Sequence, residues 1–129
     1  AIIFVGHMAE LADSVRRSLK ATGYNCSLIN ARFVKPLDEK LLEELAKDHE
    51  LFVTIEENVI TGGFGEQVMD YVSRAALDVQ VRNIGISDEY VEHGNVEVLR
   101  KEVGLDRDTI AKQAVSDYLR IMENRKKEK

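Results

Sequence analysis

Apolar residues in this chain follow two rhythms that take turns. Short continuous runs alternate with longer stretches in which apolar positions recur every three or four places. Ala1-Ile-Ile-Phe-Val5 and Leu51-Phe-Val-Thr-Ile55 are brief, β-branched and almost wholly apolar, the pattern of strands covered on both faces. Cys26 to Asn30 is mixed in polarity, and in Val79 to Ile84 the residues Val79 and Val81 alternate with Gln80 and Arg82. These two runs read as edge strands. Between the runs lie helical patterns. Leu11, Ala12, Val15 and Leu19 share one face of a helix from about Ala9 to Thr22, with Gly23 suited to its C-terminal cap. Leu37, Leu41, Leu42 and Leu45 form a second stripe, opened by Pro36 with Asp38 and Glu39 at its positive end. A third helix from about Glu66 to Ala76 is expected to bury Val68, Met69, Val72 and Ala75. Asn95 is placed to cap a short helix ended by Gly104. Asp106 or Asp108 then caps a last helix with Ile110, Ala114, Val115, Tyr118, Ile121 and Met122 on one side.

Strand and helix in alternation predict an α/β fold, a three-layer α/β/α domain on a mainly parallel sheet. With the apolar strands central and the mixed ones at the edges, the strand order is 2-1-3-4. One domain over residues 1–123 follows, with 124–129 a charged tail expected to fray. Winding reverses between strands one and three, and sheets of this kind concentrate function at the carboxyl ends beside such a switch. Those ends are Gly6-His7 and Glu56-Glu57-Asn58.

The second of them runs into the most unusual stretch of the chain, Glu56-Glu-Asn-Val-Ile-Thr-Gly-Gly-Phe-Gly65. Gly62, Gly63 and Gly65 surround one aromatic, Phe64. Such density suggests a tight turn that uses φ > 0. The stretch lacks the glycine spacing of a dinucleotide fingerprint and the Gly-Lys-Ser/Thr of a phosphate loop, and its two acids repel phosphate. Neighbours along a strand point to opposite faces, so Glu56 and Glu57 do not face one substrate as an acid/base pair unless the loop twists. One is expected to meet the N-terminus of helix three, the other solvent or a partner. Phe64, apolar in a polar loop, is expected to face a covering surface outside the chain. His7 beside the switch, and Arg32 and Lys35 flanking Phe33 in the connection after strand two, complete the candidate interface set.

Composition narrows the function. A chain of 129 residues with 44% hydrophobic side chains is ample for one core. A net charge of −5 argues against nucleic acid. No apolar stretch has the length of a membrane span, and no basic region precedes the opening run as in a signal peptide. The single cysteine, Cys26, fits a reducing cytoplasm and is expected to be buried and unreactive. None of the three histidines has metal-site spacing, and no nucleophile elbow occurs, so no catalytic, cofactor or metal residue is assigned. A run that opens inside a core-type strand suggests a domain excised from a longer protein.

Two segments carry a specific likeness. Ala31-Arg-Phe-Val-Lys-Pro-Leu-Asp38 and Thr54-Ile-Glu-Glu-Asn-Val-Ile-Thr-Gly-Gly-Phe-Gly65, at this separation, resemble the C-terminal domain of the 1-deoxy-D-xylulose-5-phosphate synthase family. Asp88 to Gly94 and Gly104-Leu-Asp106 resemble that family's tail. Transketolases and 2-oxo-acid dehydrogenase E1 β subunits are similar in a looser way. The resemblance implies a thiamine-diphosphate- and Mg2+-dependent homodimer that condenses pyruvate with glyceraldehyde 3-phosphate for isoprenoid precursors. It places the cofactor residues in earlier domains and implies an interface role here, against those domains and the second subunit. The alternatives are the same domain of a related transketolase-like enzyme, or a stand-alone module with a small ligand in the switch-point crevice.

Overall fold

The computed structural model describes residues 1–5, 8–31, 38–57, 63–86 and 107–127. Four strands, β1 (Ile2–Phe4), β2 (Leu28–Asn30), β3 (Leu51–Glu57) and β4 (Gln80–Ile86), form one all-parallel sheet in the order β2-β1-β3-β4. The expected order holds for the expected reason. Phe52 and Ile55 in β3 have no exposure at all and Ile2 and Ile3 almost none, whereas β2 and β4 are only half-buried.

Alternation along the two central strands splits the core in two. Ile2, Phe4, Leu51, Val53 and Ile55 face α1 (Ala9–Ala21) and α4 (Arg107–Lys127), meeting Leu11, Val15, Leu19, Ile110, Ala114 and Ile121. Ala1, Ile3 and Phe52 face the other way. There they pack on Leu42 of α2 (Glu39–Asp48) and on Phe64, Val68, Tyr71 and Val72 of α3 (Phe64–Arg74). The result is the three-layer α/β/α arrangement. Asp38 caps α2 by accepting from the Leu41 N–H at 3.1 Å. Gly23, with φ at +95°, turns the chain after α1.

Three expectations change. Helix α3 begins at Phe64, two residues early, and buries Tyr71 while leaving Met69 44% exposed and Ala75 outside the core. Strand β3 continues through both glutamates to Glu57. The last helix runs to Lys127 across the segment expected to fray, and Arg125 within it forms ion pairs with Asp78 at 2.9 Å and Glu50 at 2.6 Å. The expected helix over 95–103 lies outside the described residues.

Helix α4 is also tied to the edge strand by Asp117, 1% exposed on its apolar stripe. Arg82 of β4 donates to both Asp117 oxygens, at 2.7 and 2.8 Å, and Gln113 adds a bond at 3.1 Å. The Arg82 hydrogen bonds hold the Asp117 carboxyl below the usual carboxylate range. Because the folded value is depressed, this contribution is complete above the unfolded value near ~4 and is lost as pH falls below it. Arg82→Met leaves a buried carboxylate with weaker partners, and is expected to cost about 2–3 kcal/mol. Asp117→Asn should cost less, because the half-exposed Arg82 turns to water, and it should flatten the loss of stability below pH ~4. Urea unfolding of both variants across pH checks this; an Arg82→Met loss no greater than that of Asp117→Asn would contradict it.

Candidate functional site at the switch point

At the carboxyl end of β3 the side chains of Thr54 and Glu56 share the face that α3 covers. Glu56, 8% exposed, accepts from the Gly65 N–H at 2.5 Å. A carboxylate there satisfies an orphan amide and meets the positive end of the helix dipole. The expectation that one of the paired acids meets helix three is therefore met by Glu56. Two residues back, fully buried Thr54 donates to Asn83 Oδ1 of β4 at 2.6 Å. Thr54 and Asn83 are register partners across β3 and β4. Gly65 lies directly over this pair: a Cβ there would fall 2.6 Å from Asn83 Oδ1 and 2.8 Å from Thr54 Oγ1.

The loop glycines thus act differently from expectation. Gly63 is the N-cap of α3 in extended backbone, at φ −69° and ψ 179°. Among the described residues Gly23 is the one glycine at positive φ. Gly65 is required because helix and sheet approach too closely for a side chain. Phe64 is corrected as well. It is 5% exposed and packs inward with Phe52, Val68, Tyr71 and Val72, so it is not presented to a partner. The ring completes the core at the first turn of α3. Of the other candidates, Glu57 closes β3, while His7, Arg32, Lys35, Asn58 and Gly62 lie outside the described residues.

The arrangement is a mechanical joint. Its carboxylate is committed to a helix amide and its hydroxyl to an amide oxygen, and among the described residues neither is paired with a base or nucleophile. At the opposite end of the sheet Ser27 Oγ lies 3.0 Å from His49 Nε2, and His49 Nδ1 lies 2.8 Å from the Leu45 carbonyl. A carbonyl only accepts, so Nδ1 carries the proton, and in the neutral ring Nε2 accepts from Ser27. This bond links the approach to β2 with the end of α2. Cys26, expected to be buried, is half-buried, and desolvation pushes its thiol up from the usual range.

The residues described here do not fit a thiamine diphosphate and Mg2+ centre. No group of three His, Cys, Asp or Glu side chains among them is placed to hold a metal ion. The helix N-terminus that would attract a diphosphate at the switch point already holds the Glu56 carboxylate. No helix among the described residues is long and apolar enough to cross a membrane.

The described residues form a parallel α/β/α domain whose helix at the switch point is capped from within. Residues 1–110 match the model of the family described as transketolase, C-terminal domain, and the chain belongs to that family. It is 46% identical over 116 residues to the 1-deoxy-D-xylulose-5-phosphate synthase of Shouchella clausii, covering 90% of this chain and 18% of that protein. It is 40% identical over 119 residues to the synthase of Aquifex aeolicus, covering 92% of this chain and 19% of that protein. Among solved structures, a split-gene transketolase described as an inactive β4 tetramer superposes with a TM-score of 0.77 at 27% identity. The overlap covers 93% of this chain and 39% of that one. The chain thus spans about a fifth of the length of the curated relatives it matches, and corresponds to their C-terminal part.

Proposed function

We propose that this chain is the C-terminal domain of a 1-deoxy-D-xylulose-5-phosphate synthase. That enzyme is a cytoplasmic, thiamine-diphosphate-dependent transferase that condenses pyruvate with glyceraldehyde 3-phosphate and releases CO2. The observation that carries the reading is the identity of 40–46% to synthases across most of the chain, against 27% to the transketolase structure. The domain's own task in this reading is architectural. It packs on the preceding domains and supports a homodimer, and the cofactor and Mg2+ are held elsewhere. The capped helix at the switch point supports that division of labour.

The test is expression of the full open reading frame, with and without residues 1–129. The full protein should form 1-deoxy-D-xylulose 5-phosphate from the two substrates with cofactor and Mg2+. Removing this domain should abolish that activity. In calorimetric titration the chain alone should show no binding of thiamine diphosphate. Transfer of ketol groups between sugar phosphates, with no pyruvate condensation, would assign the protein to the transketolases instead. Micromolar cofactor binding by the chain alone would overturn the architectural role.

A further inference from the structure

Helix α4 carries two apolar stripes, and the core uses one of them. Ile110, Ala114 and Ile121 face the core. Ala111, Val115, Leu119 and Met122 recur at steps of four, four and three, about a third of a turn further round the helix. Along this second stripe burial fades. Ala111 is covered, Val115 and Met122 are half-buried, and Leu119 is 53% exposed. The stripe forms one wall of a groove of about 640 Å3 between α1 and α4. Leu19 and Thr22 line its other side, and the exposed Lys112 lines it as well.

An apolar groove between two helices takes an apolar anchor from a helix laid across it. Charge says which helix. α1 and α4 carry three and six Lys or Arg, against two and three Asp or Glu. On the other side of the sheet, α2 and α3 carry two and one, against four and two. One outer layer is therefore net positive and the other net negative. Two copies meeting groove to groove would bring two positive layers together. A groove meeting the α2/α3 layer of another copy brings opposite signs together. That layer also supplies the anchor. Among the described residues the large apolar side chains left exposed are Leu119 at the groove and Met69 of α3, at 44%. Met69 is flanked by the exposed acids Glu66 and Asp70, and Leu119 by Arg120, with Lys112 two turns before it. An unbranched methionine also adapts to an irregular groove.

We propose that the α1/α4 groove is an interface between copies of this protein, and that its occupant is the α3 face of a second copy, with Met69 seated beside Val115 and Leu119. The contact is head-to-tail, because groove and anchor lie on opposite sides of one sheet. Each added copy leaves a groove at one end and a Met69 at the other, so the contact builds a ring or a filament. The inference stands apart from the enzyme assigned above.

Cross-linking tests it, in the full-length protein with its native cysteines, Cys26 among them, changed to serine. Met69→Cys and Leu119→Cys place single thiols at the two exposed positions, and one of the two proteins carries a size tag. With a short bis-maleimide, a mixture of the two should join 69 to 119 about tenfold or more faster than either variant joins to itself. Raising salt from about 50 mM to about 0.5 M should slow that product about fivefold, since the attracting layers face solvent. If the serine background does not fold, the native cysteines are kept and the products of the parent protein are subtracted. Links of 119 to 119 in excess would show a groove-to-groove contact and overturn the proposal. A mixed product no faster than the self products would overturn it too, and would mean that another surface covers the groove. A mixed product indifferent to salt would overturn the choice of partner by charge. Cross-linking is independent of turnover, so a protein that makes no deoxyxylulose phosphate yet joins 69 to 119 would sink the assigned enzyme and leave this interface standing.

Discussion

Phe64→Ala is expected to lower stability to urea by about 3–5 kcal/mol, the range for removing a buried aromatic side chain. Phe64 is 5% exposed and closes the α2/α3 side of the core against Phe52, Val68, Tyr71 and Val72. It is also the first residue of α3, next to the Gly65 amide that Glu56 holds. A cavity there sits under a helix end fixed by a hydrogen bond, so the backbone has little freedom to collapse into it. The contrast on the same helix is Met69, 44% exposed, where Met69→Ala should change stability by no more than about 0.5 kcal/mol. If α3 offers an apolar anchor to another domain, Met69 is that anchor and Phe64 is not. Urea unfolding followed by circular dichroism and by fluorescence separates the two cases. A loss below about 1 kcal/mol for Phe64→Ala would show that the ring faces outward.

Much of this was legible in the chain. An almost unbroken apolar run has no polar face to give to water, so β1 and β3 had to be central. The mixed runs had to be edges, and the order 2-1-3-4 followed. Local context misled at Phe64, because three neighbouring glycines suggested a loop. The period was nonetheless present: Phe64, Val68, Tyr71 and Val72 lie four, seven and eight places along one helical face, with Met69 on the other. Asp117 was legible in half. It stands in the stripe Ile110, Ala114, Asp117, Ile121, and an acid at a core position must have a partner. Nothing in the sequence tells that the partner is Arg82, 35 residues away, because the pairing exists only once α4 lies against β4. Gly65 is the same kind of case. Its reason is a distance to the sheet, and glycine chosen for close approach looks in sequence like glycine chosen for a turn.

Gly65→Val should cost about 3–5 kcal/mol, and the cost should belong to the joint more than to the backbone. Gly65 has no positive φ to explain its choice, and as a helical residue it gains a little helix propensity on substitution, under ~1 kcal/mol. Against that gain stands a Cβ placed 2.6 Å from Asn83 Oδ1 and 2.8 Å from Thr54 Oγ1. Forcing extra methyl groups into a packed core costs about 1–3 kcal/mol. Asn83 is able to swing aside, but doing so strands the hydroxyl of Thr54, which is fully buried, at a further cost of about 1–3 kcal/mol. If α3 moves instead, the Glu56–Gly65 bond is lost and a buried carboxylate is left without its amide. Each way out damages a polar contact, so the strain cannot be relieved cheaply. In a Thr54→Ala/Asn83→Ala background both obstructing atoms are gone, and Gly65→Val should then cost about 1 kcal/mol or less beyond the background. Urea unfolding of the four proteins forms the cycle. A valine penalty equally large in both backgrounds would show that the glycine is needed for backbone conformation, and that the contact with Thr54 and Asn83 is incidental.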